Sequence, residues 1–338
     1  MAASATAAQA ADVYGQVRVS VDMINSDTAN NDRTQVSSQT SRIGVKGTED
    51  LGGGMSAIYG LEWGVSFANN GSGTTAAALS EAANSSMSAR NQFVGLKGAF
   101  GTVLVGRHDA PYKLAGSADL FADTTGDATC ETATASATGV CIIGRNGFDT
   151  RAQNTVAYVS PDWNGFHFAV AGIPGEQTGA SEANGLADAW SATAVYKNGP
   201  LNASVSQQKF SKEFPATNGA EDKTGTKFNI GYTMGDIKLG YTHESSDNGY
   251  TAGSQKDKGQ LASIAYGMGP ITLGYQYGYF NNKNTESSTQ TDVKTHTVGV
   301  IYALSKRTST YAAYADVKNT HADTADGKVF TMGLNHAF

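Results

Sequence analysis

The sequence predicts an all-β fold: a transmembrane antiparallel β-barrel of about sixteen strands, an even number as bacterial barrels require. Three observations predict it. The last segment places Phe330, Met332, Leu334, His336 and Phe338 on one parity and the smaller Thr331, Gly333, Asn335 and Ala337 on the other. A period of two over about ten residues puts one face on lipid and the other on water. The pattern recurs along almost the whole chain, while no run approaches the roughly twenty apolar residues of a membrane helix. Between strands, short Gly-containing turns alternate with long polar connections, matching short periplasmic turns and longer external loops.

The elements follow in order. Val13–Met23 sets Val17, Val19, Val21 and Met23 against Gln16, Arg18, Ser20 and Asp22. After a turn-prone run from Asn25 to Asp32, a second strand near Thr40–Thr48 sets Ile43 and Val45 against Arg42 and Lys46. The third alternates most cleanly, with Tyr59, Leu61, Trp63 and Val65 opposing Gly60, Glu62, Gly64 and Ser66. Strands around Arg90–Gly98 and Thr102–Arg107 alternate less well, because Val94, Leu96, Val103 and Val105 share the parity of Arg90 or Arg107. An inner face covered by packed protein would tolerate that. Gln153–Ser160 and Phe166–Ala171 come next, and then four pairs of strands about Asn198-Gly199-Pro200, Gly235-Asp236, Gly267–Pro270 and Ser305-Lys306.

Composition agrees. In 338 residues the hydrophobic fraction is 40% and mean hydropathy is −0.31, as expected when only half of each strand meets lipid. The 15 tyrosines suit the aromatic girdles of such barrels. Residues 1–11 read as a residual leader ending in Ala8-Gln9-Ala10, with the barrel occupying residues 12–338. A net charge of −6 without a basic patch gives nucleic-acid binding no support.

Sixteen strands enclose a lumen too wide for side chains to fill, so an aqueous channel is the expected function. The segment at about 108–147 is long, without clear periodicity, and acidic: Asp109, Asp119, Asp123, Asp127 and Glu131. Folded inward it would narrow the lumen; the alternative is an outward, solvated loop. Cys130 and Cys141 within it are a candidate disulfide in an exported protein, with two buried thiols as the alternative. Opposing the acids are Arg18, Arg42, Lys46, Arg90, Arg107 and Arg151. For Arg18, Arg42 and Lys46 the parity excludes the lipid face, where a cation at the midplane costs about 2–4 kcal/mol. Each alone reads as an ordinary wall charge, but clustered opposite acids they would create a transverse field that sets ion selectivity.

Ser41-Arg42-Ile43-Gly44-Val45-Lys46-Gly47, Phe93-Val94-Gly95-Leu96-Lys97-Gly98, Gly106-Arg107, Arg151 with Asn154-Thr155-Val156-Ala157-Tyr158, and the terminal Phe338 resemble the general, non-specific porins of Gram-negative outer membranes. The resemblance covers about residues 12–338 and rests on the order of short motifs. It implies homotrimers, a third external loop folded into each lumen, and a basic ladder matching Arg18, Arg42, Arg90 and Arg151. The alternation of short and long turns places both termini on the periplasmic side, and the resemblance implies Phe338 as a signal to the barrel assembly machinery and contact with outer-membrane lipid and lipopolysaccharide. Two features depart from it: Ser117–Asp123 replaces the Pro-Glu-Phe-Gly-type motif, and the cysteine pair lies outside the common pattern.

The leading expectation is therefore passive diffusion of small hydrophilic solutes and ions. The alternatives are an outer-membrane barrel hydrolase, for which the six scattered histidines offer no nucleophile–base constellation, and an adhesin or phage receptor. No tight cofactor is expected. Loosely bound divalent cations at Asp247, Asp257, Glu286 or Asp323 are the one metal candidate, against ordinary solvated loop charge.

Overall fold

Seventeen strand segments make sixteen staves of a closed barrel in the computed structural model. It describes residues 11–27, 32–68, 87–129, 140–144, 147–176, 185–214, 221–247, 249, 255–284, 291–319 and 326–338. The first strands are β1 (Asp12–Ser26), β2 (Arg33–Ser38), β3 (Arg42–Gly52), β4 (Met55–Val65), β5 (Met87–Gly98) and β6 (Gly101–Asp109). One helical turn, α1 (Pro111–Leu114), precedes β7 (Arg151–Val159), β8 (Phe166–Ile173), β9 (Ala189–Asn198), β10 (Leu201–Phe210) and β11 (Lys223–Met234). The rest are β12 (Ile237–Asp247), β13 (Gln255–Met268), β14 (Ile271–Asn284), β15 (Thr291–Ala303), β16 (Thr308–Asn319) and β17 (Gly327–Ala337).

Each stave pairs antiparallel with the next, and β1 pairs with β17 from Gln16↔Ala337 to Ser26↔Gly327. This closes the sheet and puts both chain ends at the same rim. The seam ends in reciprocal bonds, Gly15 N–H to Phe338 O at 3.0 Å and Phe338 N–H to Gly15 O at 3.1 Å. A side chain on Gly15 would overlap the Phe338 ring. The second stave is broken: β2 and β3 both pair with β1, and Gln39-Thr40-Ser41 forms the break.

Alternation divides the wall as expected. Val21, Met23, Leu239, Tyr241, Leu273, Tyr275, Val298, Phe330 and Met332 are exposed on the outside. Their neighbours Ser20, Asp22, Thr242, Gln276, Thr297 and Thr331 are buried on the inside. No helix among the described residues is long and apolar enough to cross a membrane; the strands do the crossing. Tight turns close the rim that holds the termini. At Gly235 (φ +59°) the chain reverses in two residues, in a backbone region that favours glycine.

In β5 a break in register accounts for the weak alternation. Between Leu61↔Gln92 and Trp63↔Ala89 the chain advances two residues on β4 and three on β5. That β-bulge resets the faces, so Arg90 points inward although it shares the numerical parity of the outward Val94 and Leu96. A second register shift between Gly106 and His108 adds a residue to β7, at Asn154 with φ +56°.

Candidate functional site: a polar lumen and the segment between β6 and β7

The site has two walls. On the first, formed by β1, β3, β4 and β5, inward positions carry Tyr14, Arg18, Arg42, Glu62 and Arg90. Glu62 sits at the centre. Its carboxylate accepts from Arg90 Nε at 2.6 Å and from the Tyr14 hydroxyl at 3.1 Å, and Arg42 Nε lies 3.6 Å away. Inward glycines make this possible: Cβ atoms on Gly44 and Gly64 would meet the Tyr14 ring and the Ser88 and Arg90 side chains. Arg18 reaches Asp123 at 2.7 Å. Farther along, Arg151 bonds Asp109 at 3.0 Å, with Asn91 bridging both. The arginines keep contact with solvent: side-chain exposure is 19% for Arg18, 24% for Arg42, 16% for Arg90 and 15% for Arg151.

The second wall, β9 to β15, meets the segment between β6 and β7. Each bond runs to the polar face of the strand. Tyr112 N–H donates to Ser191 Oγ at 2.9 Å and its hydroxyl to Glu244 at 2.9 Å. Ala118 N–H donates to Thr242 Oγ1 at 2.7 Å, and Leu120 N–H to Gln276 Oε1 at 2.9 Å. On the returning arm Gly144 N–H donates to Glu244 at 2.8 Å, and Lys227, 1% exposed, pairs with Asp149 at 2.7 Å. Between these anchors the strands present a track of glycines. Cβ atoms there would strike Phe148 from Gly225, Ala118 from Gly240, Ile142 from Gly278 and Phe121 from Gly299. Glycine lets the segment's backbone and side chains approach the sheet directly. Val140, Ile142 and Ile143 then pack against Leu261, Phe280 and Val293, all buried.

The expected residues do not all converge. Asp123 faces Arg18, and Asp109 faces Arg151. Asp119 and Asp127, also expected to line the pore, hold the segment's own backbone. Asp119 accepts from Phe121 N–H at 2.8 Å and Ala128 N–H at 2.7 Å. Asp127 is fully buried and accepts from Asp123 N–H at 2.9 Å and Thr129 N–H at 2.6 Å. Burial and the adjacent Asp119 push the Asp127 carboxyl well above the usual carboxylate range. Lys46 stands apart from the arginines, its ammonium 5.2 Å from the Tyr14 ring centre. Arg107 lies opposite Gln92 with its Nε buried and unbonded among the described residues. Cys141 is buried. Cys130 and Glu131 lie outside the described residues, as do Glu286, Asp323 and residues 1–10. Asp257 is no loop acid: it is 2% exposed within β13. Glu62 is the residue sequence reasoning missed. Its inner-face parity was visible, but its two arginine partners require the strand register and the bulge in β5.

A closed barrel with an apolar outer belt and a charged, polar interior is the architecture of an outer-membrane pore. Comparison with known proteins agrees. A family model described as Gram-negative porin matches residues 1–322. Outer membrane porin protein 32 of Delftia acidovorans is 30% identical over 347 aligned residues, covering 95% of this chain and 87% of that protein. In fold, the chain is similar to the anion-selective porin from Comamonas acidovorans (TM-score 0.75, 23% identity, 97% of this chain and 99% of the other). It is also similar to OmpF of Salmonella typhi (TM-score 0.73, 13% identity, 97% of each chain). The chain belongs to the Gram-negative porin family. It resides in the outer membrane and forms a channel for passive diffusion.

Proposed function

We propose that the segment between β6 and β7 lies inside the lumen as a constriction, and that solutes pass between its tip and the arginine wall. The observation that carries this is the bonding of one segment to opposite sides of the barrel. Its tip touches Arg18 on β1 and Gln39 before β3, while its flanks bond β9, β11, β12 and β14. Bonds from one connection to the polar faces of both β1 and β12 support a route through the interior.

The wall charges favour anions. Arg18 and Arg151 each face one carboxylate, but Arg42 and Arg90 share the single carboxylate of Glu62. The surplus guanidinium raises the local anion concentration along the narrowest stretch. A fold neighbour from Comamonas acidovorans is described as anion-selective, in line with this reading. Homotrimerisation, periplasmic termini, a Cys130–Cys141 bridge that stiffens the loop, and recognition of Phe338 by the assembly machinery belong to the same proposal.

Zero-current potential in a salt gradient across a planar bilayer tests it. The wild-type pore is expected to favour anions, and Arg42→Ala to shift the potential toward cations. An unaltered potential in Arg42→Ala places that side chain outside the ion path and defeats the proposed selectivity.

A further inference from the structure

A cavity of about 330 Å³ lies on the inner face of β9–β13, between the segment that follows α1 and the rim that holds the termini. Strand register builds its floor. Inward positions form one row, Lys197 on β9, Asn202 on β10, Gly231 on β11, Gly240 on β12 and Ser263 on β13, each directly opposite the next. One inward position nearer the rim, Thr233 stands opposite Lys238. One position the other way, Asn229 completes the polar lining. Ser117–Leu120 form the roof, held by the Ala118 N–H bond to Thr242 Oγ1 at 2.7 Å. At Gly240 roof and floor meet, since an added Cβ would lie 2.9 Å from Ala118 Cβ. At Gly231 an added Cβ would meet only Leu239 O, at 3.7 Å, so the floor there is open.

The charges around this space do not cancel. Asp119 is the one acid in the lining, and its carboxylate already accepts from Phe121 N–H and Ala128 N–H. Lys197 and Lys238 are exposed and form no ion pair among the described residues. Lys227 on the same wall differs, because Asp149 neutralises it at 2.7 Å. Asn229 Oδ1 accepts from the Thr242 hydroxyl at 2.8 Å, which leaves its amide N–H groups to donate. The two lysines are three strands apart, with Asn202, Asn229 and Thr233 between them. A solute that bridges them therefore meets amides and hydroxyls as well as positive charge. Ammonium groups bind an anion with charge-assisted hydrogen bonds, and Asn and Thr side chains both donate to and accept from hydroxyl groups. The volume lies at the lower end of the roughly 300–1,000 Å³ typical of small-molecule sites.

We propose that this cavity is a solute-binding subsite for a small polyhydroxylated anion of the sugar-phosphate class. Lys197 and Lys238 hold its phosphate, and Asn202, Asn229 and Thr233 hold its hydroxyls. The subsite belongs to the β9–β15 wall, uses none of the arginines, and stands whether or not those arginines set ion selectivity.

Single-pore current through the full-length protein in a planar bilayer, titrated with glucose 6-phosphate, tests it. Wild type should show saturable block. K197Q/K238Q should weaken that block at least about tenfold, through loss of two hydrogen bonds to a charged group. Gly231→Leu, which fills the open floor, should weaken it independently of charge. Insertion of either variant as an open pore shows that it folds. Glucose and inorganic phosphate should each block wild type at least about tenfold less strongly than glucose 6-phosphate, because each supplies only half of the recognised groups. Absence of saturable block in wild type overturns the inference, as does block of equal strength in both variants. Inorganic phosphate as effective as glucose 6-phosphate would mark a plain anion site and also overturns it. Block that survives in K197Q/K238Q but is lost in Arg42→Ala would place the solute at the arginine wall, overturning this subsite while leaving the proposed selectivity intact.

Discussion

The two walls of the lumen use the same residue types to opposite ends. On the β9–β15 side, charged groups are locked away: Lys227 is 1% and Glu244 4% exposed, and both are spent on holding the segment between β6 and β7. On the β1–β5 side, the arginines keep solvent contact and share too few carboxylates. Glycines follow the division. Those of β11–β15 receive the segment itself, whereas Gly44 and Gly64 make room for Tyr14 and Arg90. Burial converts a charge into a fastener, and partial solvation leaves it able to act on a passing ion. In the proposed function, one wall anchors and the other selects.

The largest effect is expected from breaking the anchoring wall. Gly278→Leu puts a side chain where a Cβ alone would lie 2.6 Å from Ile142 Cγ1. Overpacking of this kind costs about 1–3 kcal/mol, which the segment can relieve by leaving the sheet. Single-pore conductance should rise and the segment should become open to protease. Wild-type conductance with a resistant segment would show that the glycine track is not what seats it.

A smaller effect sharpens the selecting wall. Glu62→Gln leaves Arg42 and Arg90 without their common carboxylate, so the zero-current potential should move further toward anions at nearly unchanged conductance. Movement toward cations would mean that Glu62 does not offset these arginines. Its direction opposes that of Arg42→Ala, so the pair of variants brackets the wild type.

The smallest effect concerns pH. The raised Asp127 carboxyl means that the folded segment binds this proton more tightly than the unfolded chain does. The resulting stabilisation is complete below the unfolded aspartate value of about 4 and is lost as pH rises through the raised folded value. Wild-type thermal stability should therefore decline across that window, and Asp127→Asn, which cannot ionise, should flatten the decline. An equal slope in both proteins would remove Asp127 as the source.

How much of this was legible in the sequence follows from what alternation can encode. Where one face is apolar, as in Met55–Val65, strand and orientation were both readable. Arg33–Ser38 was not, because only Val36 is apolar and the period has nothing to display. Arg90 has a misleading parity because a bulge leaves no mark in a hydrophobic pattern. Among the acids, Asp123, Asp119 and Asp127 look alike as text, but only the fold of the segment decides that one meets Arg18 and the others bond backbone amides. The glycines of the track stand in the sequence without a visible partner.

Removal of residues 117–128, followed by single-pore conductance in a planar bilayer, tests most directly whether one inward segment narrows the channel against the arginine wall. Conductance should rise several-fold and anion preference should weaken, since the ions no longer pass close to the arginines. An inserted, folded barrel with unchanged conductance and preference would contradict the account.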